Sequence, residues 1–341
     1  MRMAGPGGTV RAAVVAGLGA ALPSRVVSNE ELSRTLDTSD EWIRTRTGIE
    51  QRHVIDAGMA TSDLAVVAGS RALKSAGTSD VGAVVLATTT PDRPCPATAP
   101  EVADRLGISA VPAFDLSAVC SGFVYGLATG AGLIAAHVAD SVLVVGADTY
   151  STILNPEDRT TAAIFGDGAG AVVLRAGTPD EDGALGPFDL GSDGSLADLI
   201  AIPAGGSRQR SSAEPVEPGD QFFQMQGRQV FRYAVRRMAD SARAVLDRAG
   251  WQVADVDRFV AHQANSRILT AVAKDLALPA DRVVSNIATV GNTSAASIPL
   301  ALADAVLEGV LRPGHRVLLT AFGGGLTWGS TVLTWPGVAR A

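Results

Sequence analysis

Cysteine occurs only twice in the 341 residues, as Cys95 and Cys120. Two thiols cannot form a disulfide framework, and the four histidines (His53, His137, His262 and His315) stand singly, so no Cys/His spacing suits zinc. A reducing, cytoplasmic setting with no structural metal is the expectation. Aromatic residues make up 5% of the chain and charged residues 18%, while glycine is plentiful at 37. A chain so poor in rings and so rich in Gly, Ala and Val can bring its layers close together. The net charge of −7 excludes general affinity for nucleic acid and makes any local basic cluster informative. No apolar run reaches the length of a membrane span. "AAVVAGLGAALPS" imitates a targeting segment, but Gly17 and Gly19 interrupt it and "SRVVSNEEL" continues from it. It reads as a first buried strand behind a flexible leader, residues 1–11.

What is present is a set of short Val- and Leu-rich runs: "AAVVAGLG", "VGAVVLATT", "AVPAFDLS", "SVLVVGAD" and "AGAVVLRA". Helical patterns separate them, notably "TSDLAVVAGSRALKSAG", where Thr61 or Ser62 can cap, and "SGFVYGLATGAGLIAAHV". Such alternation predicts an α/β protein with a mostly parallel sheet covered on both faces. The order then recurs roughly 170–175 positions later: "DVGAVVLATTT" is echoed by "DVDRFVAHQAN", and "DSVLVVGAD" by "GHRVLLTAF". This implies two duplicated α/β halves, 12–178 and 179–337, meeting near the polar "RAGTPDEDGALG". A second polar stretch, 203–221, reads as a surface loop.

Cys120, in "DLSAVCSGFVYG", lies where a strand pattern gives way to a helix pattern. There it is either a small core hydrophobe or a nucleophile whose thiolate is favoured by the helix N-terminus. His262 in "VAHQANSRI" and Asn292 in "VGNTSAASIP" occupy comparable junctions. Each alone reads equally as a satisfied structural residue or a helix cap. Together the three suggest one shared site. Gly323, Gly324 and Gly325 in "AFGGGLTWGS" let backbone N–H groups approach a substrate, as an oxyanion hole requires. "GLGAAL" is not a dinucleotide fingerprint, because Pro23 follows and no helix opens. "FGDGAGAVVL" lacks the Lys-Ser/Thr of a phosphate loop, and its glycines suit tight packing between the halves.

"DTSDEWIRTRTGI", "AVCSGF", "IFGDGAGA", "HQAN", "GNTSAAS" and "FGGGLTWGS", in this order over residues 12–336, resemble β-ketoacyl-acyl-carrier-protein synthase III. The resemblance implies a thiolase-like five-layer αβαβα fold and a cytoplasmic homodimer that starts fatty-acid or polyketide chains. It implies that Cys120 takes an acyl group from acyl-CoA, a substrate and not a cofactor. Malonyl-acyl carrier protein then decarboxylates and attacks. The N–H groups of Cys120 and Gly324 would form the oxyanion hole. His262 and Asn292 would hold the enolate oxygen, and Phe322 would line the site. Coenzyme A would lie against Thr38, Trp42, Arg46, Arg159, Gly227, Phe231, Ala264 and Asn265.

Arg228, Arg232 and Arg236 follow at i, i+4 and i+8, with Arg237 beside them and Arg267 and Lys274 beyond the "HQAN" motif. They read as a solvated helix face or as a patch that steers an acidic carrier protein. At the position where the family often carries a bulky residue across the dimer interface stands Cys95, which implies primers larger than acetyl. Three rivals remain: an acyltransferase of the same fold that passes the acyl group to an alcohol or amine, a Cys–His–Asn hydrolase, and a non-catalytic partner subunit. Neither nucleic acid nor membrane is an expected partner.

Overall fold

The computed structural model describes residues 11–212 and 215–338, so the leader expected at 1–11 lies outside the described residues but for Arg11. The first half builds a sheet from β1 (Ala12–Ala21), β2 (Val84–Ala87), β3 (Ala113–Leu116), β4 (Ser141–Asp148) and β5 (Gly168–Gly177). Its order is β1-β5-β4-β2-β3. The second half contributes β6 (Phe188–Ser192), β7 (Arg258–Ala261), β8 (Arg316–Gly323) and β9 (Thr327–Thr334), ordered β7-β8-β9-β6. A single parallel bridge, Phe259 to Val283, stands where a fifth strand would complete it. Both sheets therefore repeat one scheme: an outer antiparallel pair, a second antiparallel step, then parallel pairing.

The sheets are mixed, which corrects the expectation of mostly parallel pairing. β4 and β2 pair parallel, as do β2 and β3, but β5 runs antiparallel to both β4 and β1. Parallel neighbours need a crossover of a dozen or more residues, usually a helix. Between β4 and β5 the chain makes only short turns at Tyr150–Thr152 and Arg159–Ala162, and three residues join β8 to β9. Without a crossover helix each return strand can pair only antiparallel.

Helices α1 (Asp40–Thr47), α2 (Thr61–Ala76), α3 (Gly122–Ala135), α4 (Gly227–Ala249), α5 (Ser266–Asp275) and α6 (Ser297–Leu307) complete the layers. Helix α2 covers the outer face of the first sheet, where Leu64, Ala68 and Ala72 bury against Leu143, Val145 and Val173. Helices α3 and α6 lie between the sheets in one core with Val144, Val172, Val317 and Leu319. Helices α4 and α5 cover the second sheet through Ala242, Val245, Leu269 and Val272. The five layers are those of the thiolase-like fold.

Neither Thr61 nor Ser62 caps α2. The Asp63 carboxylate accepts the Ala60 N–H (2.8 Å) instead. The Thr61 hydroxyl donates inward to Thr90 O (2.6 Å), and Ser62 Oγ accepts from Arg105 (2.8 Å). Glycines set the layer spacing. A Cβ at Gly19 would overlap Ala68 O and Ala72 N of α2, and one at Gly170 would lie 2.6 Å from Pro299 Cβ of α6. Gly19→Ala is accordingly expected to cost about 3 kcal/mol, near the upper end of the usual overpacking range, measured as a loss of unfolding free energy in denaturant. An unchanged midpoint would mean that α2 can move away from β1 freely.

Candidate active site

Cys120 is presented by a tight turn between β3 and α3. Val119 before it has φ +47°, a left-handed conformation that a β-branched residue rarely adopts. The turn is held from the second half of the chain. Ser121 Oγ donates to Ala118 O (2.8 Å) and meets Thr327 Oγ1 (2.8 Å), which also reaches Gly324 O (2.9 Å). Gly323 has no alternative, since a Cβ there would lie 2.8 Å from Cys120 N. The same turn recurs before α6, where Ser294 has φ +49° and Ala295 stands at the counterpart of Cys120.

His262 follows the last residue of β7 and is 2% exposed. Its Nδ1 meets Ser297 Oγ at 2.7 Å, and the same oxygen accepts the Gln263 N–H at 3.3 Å. With that acceptance made, the hydroxyl proton is free to point at Nδ1. With that proton on the Nδ1 side the imidazole takes the Nε2–H tautomer, which makes it a donor into the site. Burial also pushes the His262 pKa down to about 3, so the ring stays neutral at physiological pH. Asn292 is held by Ile164 O, which accepts its N–H, and by Gly166 N–H, which donates to its carbonyl. Its Oδ1 accepts the Ser294 N–H (2.9 Å), which leaves the Nδ2 donors for the cavity.

Cys120, His262, Asn292 and Phe322 line one cavity of about 540 Å³. The three polar side chains are buried, whereas Arg46, Gly227 and Arg228 on the same lining are exposed. The cavity is thus a tunnel with a charged rim and a dry base. Two preorganised donors facing a buried thiol can stabilise an oxyanion beside a sulfur nucleophile. The thiol itself is the opposite of the expectation that its thiolate would be favoured. Burial, with a lesser push from the Asp148 charge, raises its pKa to about 12, and the neighbouring Ser294 hydroxyl offsets this only in part. At Cys120 desolvation outweighs the helix N-terminus.

Two family descriptions match the chain: 3-oxoacyl-[acyl-carrier-protein] synthase III over residues 114–194 and its C-terminal part over 246–335. β-Ketoacyl-[acyl-carrier-protein] synthase III 3 of Streptomyces coelicolor is 64% identical over 330 residues, 96% of this chain and 98% of that protein. The chain belongs to the β-ketoacyl-[acyl-carrier-protein] synthase III family. The solved 3-oxoacyl-(acyl carrier protein) synthase III of Pseudomonas aeruginosa PAO1 superposes with a TM-score of 0.90 at 56% identity, covering 96% of this chain and 99% of that one. The priming β-ketosynthase of the R1128 polyketide pathway superposes at 0.89 with 33% identity, covering 97% and 98%. This synthase III is an acyl-transferring, condensing ketosynthase.

Of the residues singled out for coenzyme A in this synthase III, Trp42, Arg46, Gly227, Phe231, Ala264 and Asn265 line the tunnel. Thr38 and Arg159 stand outside that lining. Arg159 lies over the Trp42 ring at 5.3 Å and bonds to Asp37, while Arg46 lies over the same ring at 4.7 Å. The Asn265 amide is already committed. It caps α5 by accepting the Arg267 N–H (2.8 Å) and ties that helix to α1 by donating to Arg46 O (3.0 Å). Gln263 is likewise structural, donating to Ala261 O and Val284 O. Gly324 stands behind Gly323, against Val119 and Ile200.

The basic residues divide. Arg228 and Arg267 line the tunnel, Arg232 is exposed, and Arg236 is exposed beside Asp240 at 3.8 Å. Arg237 leaves the stripe: one residue on is about 100° around a helix, and it lies over Trp328 (4.5 Å) beside Asp193 (3.7 Å). Lys274 lines a separate, shallower hollow with Leu269 and Pro279. Cys95 is exposed on the loop after β2 and does not line the tunnel of its own chain. The apolar wall, including Phe165, Phe223, Met225 and Met238, carried no pattern that separates it from ordinary core. Ser297, which sets the His262 tautomer, also escaped notice, because its role depends on a contact 35 positions away.

Proposed function

We propose that Cys120 is acylated by an acyl-CoA and that the resulting thioester condenses with malonyl-acyl carrier protein. The products are 3-oxoacyl-acyl carrier protein, free coenzyme A and CO2. In the first step the N–H groups of Cys120 and Gly324 receive the charge on the thioester oxygen. In the second, loss of CO2 generates the carbanion without a general base, and the enolate oxygen is held by His262 Nε2–H and Asn292 Nδ2–H. Phe322 keeps the base of the tunnel dry. The observation that carries this reading is that Cys120, His262 and Asn292 share one buried cavity with an apolar wall.

Coenzyme A would enter along Gly227, Phe231, Ala264 and Asn265 with its adenine near Trp42, Arg46, Thr38 and Arg159. A base inserted against Trp42 must push Arg159 outward. Arg228, Arg232, Arg236 and Arg267 would orient the acidic carrier, with Arg237 and Lys274 as outlying members. The exposed Cys95 loop suits a homodimer in which that small side chain floors the partner's pocket and admits primers larger than acetyl. The halves 12–178 and 179–337, each contributing part of the site, would work in the cytoplasm without a cofactor.

Intact-protein mass after incubation with mixed acyl-CoAs tests this directly. One acyl adduct is expected on the native chain and none on Cys120→Ala, with four- to eight-carbon acyl groups outcompeting acetyl. Adding malonyl-acyl carrier protein should discharge the adduct with release of CO2. Discharge onto an alcohol or amine without CO2 would favour the non-condensing alternative.

A further inference from the structure

We propose that Ser294 and Asp148 form the relay that takes the proton from Cys120 when the thiol attacks an acyl-CoA. The inference rests on Cys120 as the acylated residue. In the tautomer that the enolate role requires His262 cannot serve: its Nδ1 is occupied by the Ser297 hydroxyl, and its Nε2 carries the donor proton. The tautomer that fits the ring to hold an enolate unfits it to receive a thiol proton.

Asp148, at the end of β4, is fully buried and has no cationic partner among the described residues. Its Oδ1 accepts from Thr88 Oγ1 (3.3 Å), Thr89 N (2.7 Å) and Thr90 Oγ1 (3.3 Å). Its Oδ2 accepts the Ala295 N–H (3.1 Å). The residue before Ala295 is Ser294, whose hydroxyl is buried without a full hydrogen bond of its own. The turn that carries Ser294 packs against the turn that carries Cys120, and the next residue is bonded to Asp148, so the hydroxyl lies near both groups and near Tyr150, with a hydrogen bond to none of them in this state. A hydroxyl with an unused proton thus lies beside the turn of a thiol that must lose one and beside a buried carboxylate, and a small rotation of its side chain would join the two.

The step balances. As the Sγ–carbon bond forms, the thiol proton passes to Ser294 Oγ while the Ser294 proton passes to Asp148 Oδ2. As the carbon–sulfur bond to coenzyme A breaks, both transfers reverse onto the departing sulfur. Coenzyme A leaves as a thiol and Asp148 ends ionised. The titratable groups facing Asp148 are Cys120, from the turn before α3, and Tyr150, from the turn after β4. Thr88–Thr90 and Ser294–Ala296 bring no charge. Burial raises the Asp148 pKa to about 6, so the relay is ionised above that pH and disabled below it.

Single-turnover acylation of Cys120, followed by intact mass between pH 5 and 9, tests the relay. The native rate should rise with pH through about 6 and then level. Asp148→Asn should be slower by about 10²-fold, in the range of one lost proton acceptor, and should lose that rise. Ser294→Ala should do the same, and the double variant should be no worse than either. If Asp148 merely opposes the thiolate by like charge, Asp148→Asn would acylate as fast as the native chain or faster, which overturns the relay. Multiplying effects would overturn it too. Should Asp148→Asn fail to fold, Ser294→Ala decides alone by keeping or losing the rise near pH 6. A native chain that takes no adduct on Cys120 would instead overturn the acylation reading.

Discussion

Asn292→Asp is expected to lower CO2 release and carbon–carbon bond formation by about 10³-fold or more on enzyme acylated beforehand, while the thioester on Cys120 survives. The substitution keeps an acceptor for the Ser294 N–H, which in the native chain bonds Asn292 Oδ1 at 2.9 Å, so the turn before α6 is preserved. What changes is the other half of the side chain. A carboxylate oxygen replaces the Nδ2 donor that lines the tunnel beside Cys120 and His262. Losing one oxyanion donor costs roughly 10²–10³ in rate. Placing a negative oxygen near the developing enolate in a buried site adds repulsion to that loss. Radiolabelled malonyl-carrier protein reports both halves of the reaction, since CO2 and 3-oxoacyl product are counted separately. A variant that condenses at near-native rate would mean that the enolate oxygen is not held by Asn292.

Cys120 and His262 were legible as site candidates because each follows a short apolar strand, β3 of the first sheet and β7 of the second, whereas Asn292 follows a helical turn, Ile287–Val290, where a strand end was expected. Cys120, His262 and Asn292 are far apart in the chain, but the echo between the halves placed the helix starts at Cys120 and just after Asn292 at equivalent points. The sheet orders repeat that echo down to the paired left-handed turns at Val119 and Ser294. Strand direction was less legible, because "SVLVVGAD" and "AGAVVLRA" read alike whether they pair parallel or antiparallel. Only the missing crossover helix between them decides it. The cap of α2 escaped for a related reason: Thr61 and Ser62 look like caps until their hydroxyls are drawn into contacts with Thr90 and Arg105.

Charge states were the least legible. A helix N-terminus can be read from sequence and argues for a thiolate at Cys120, but the burial that reverses it is a property of the packed layers. Asp148 and Ser294 carried no signal for the same reason. An aspartate at the end of a strand and a serine in a cap-like run are ordinary until the fold buries both near one turn.

The same burial that keeps His262 neutral should make the fold sensitive to acid. In the unfolded chain an imidazole titrates near 6.5, whereas folded His262 is pushed down to about 3 by desolvation. Between those values the unfolded state binds the proton and the folded state does not, so stability is lost as pH falls and is fully present above about 6.5. The loss is about 2 kcal/mol by pH 5 and about 4 kcal/mol by pH 3. Asp148 works against it. With a folded pKa raised to about 6, its contribution is fully present below the unfolded carboxylate value and is lost as pH rises through about 6. The native curve between pH 4 and 6 is a near-cancellation and reveals little by itself. The difference from His262→Asn, which keeps an acceptor for the Ser297 hydroxyl, isolates the imidazole. Urea unfolding at pH 7 and pH 5 should show the native chain losing about 2 kcal/mol more than the variant over that interval. Parallel curves would show that His262 takes up its proton inside the folded protein, and a charged imidazolium would then face the thioester in place of a neutral donor.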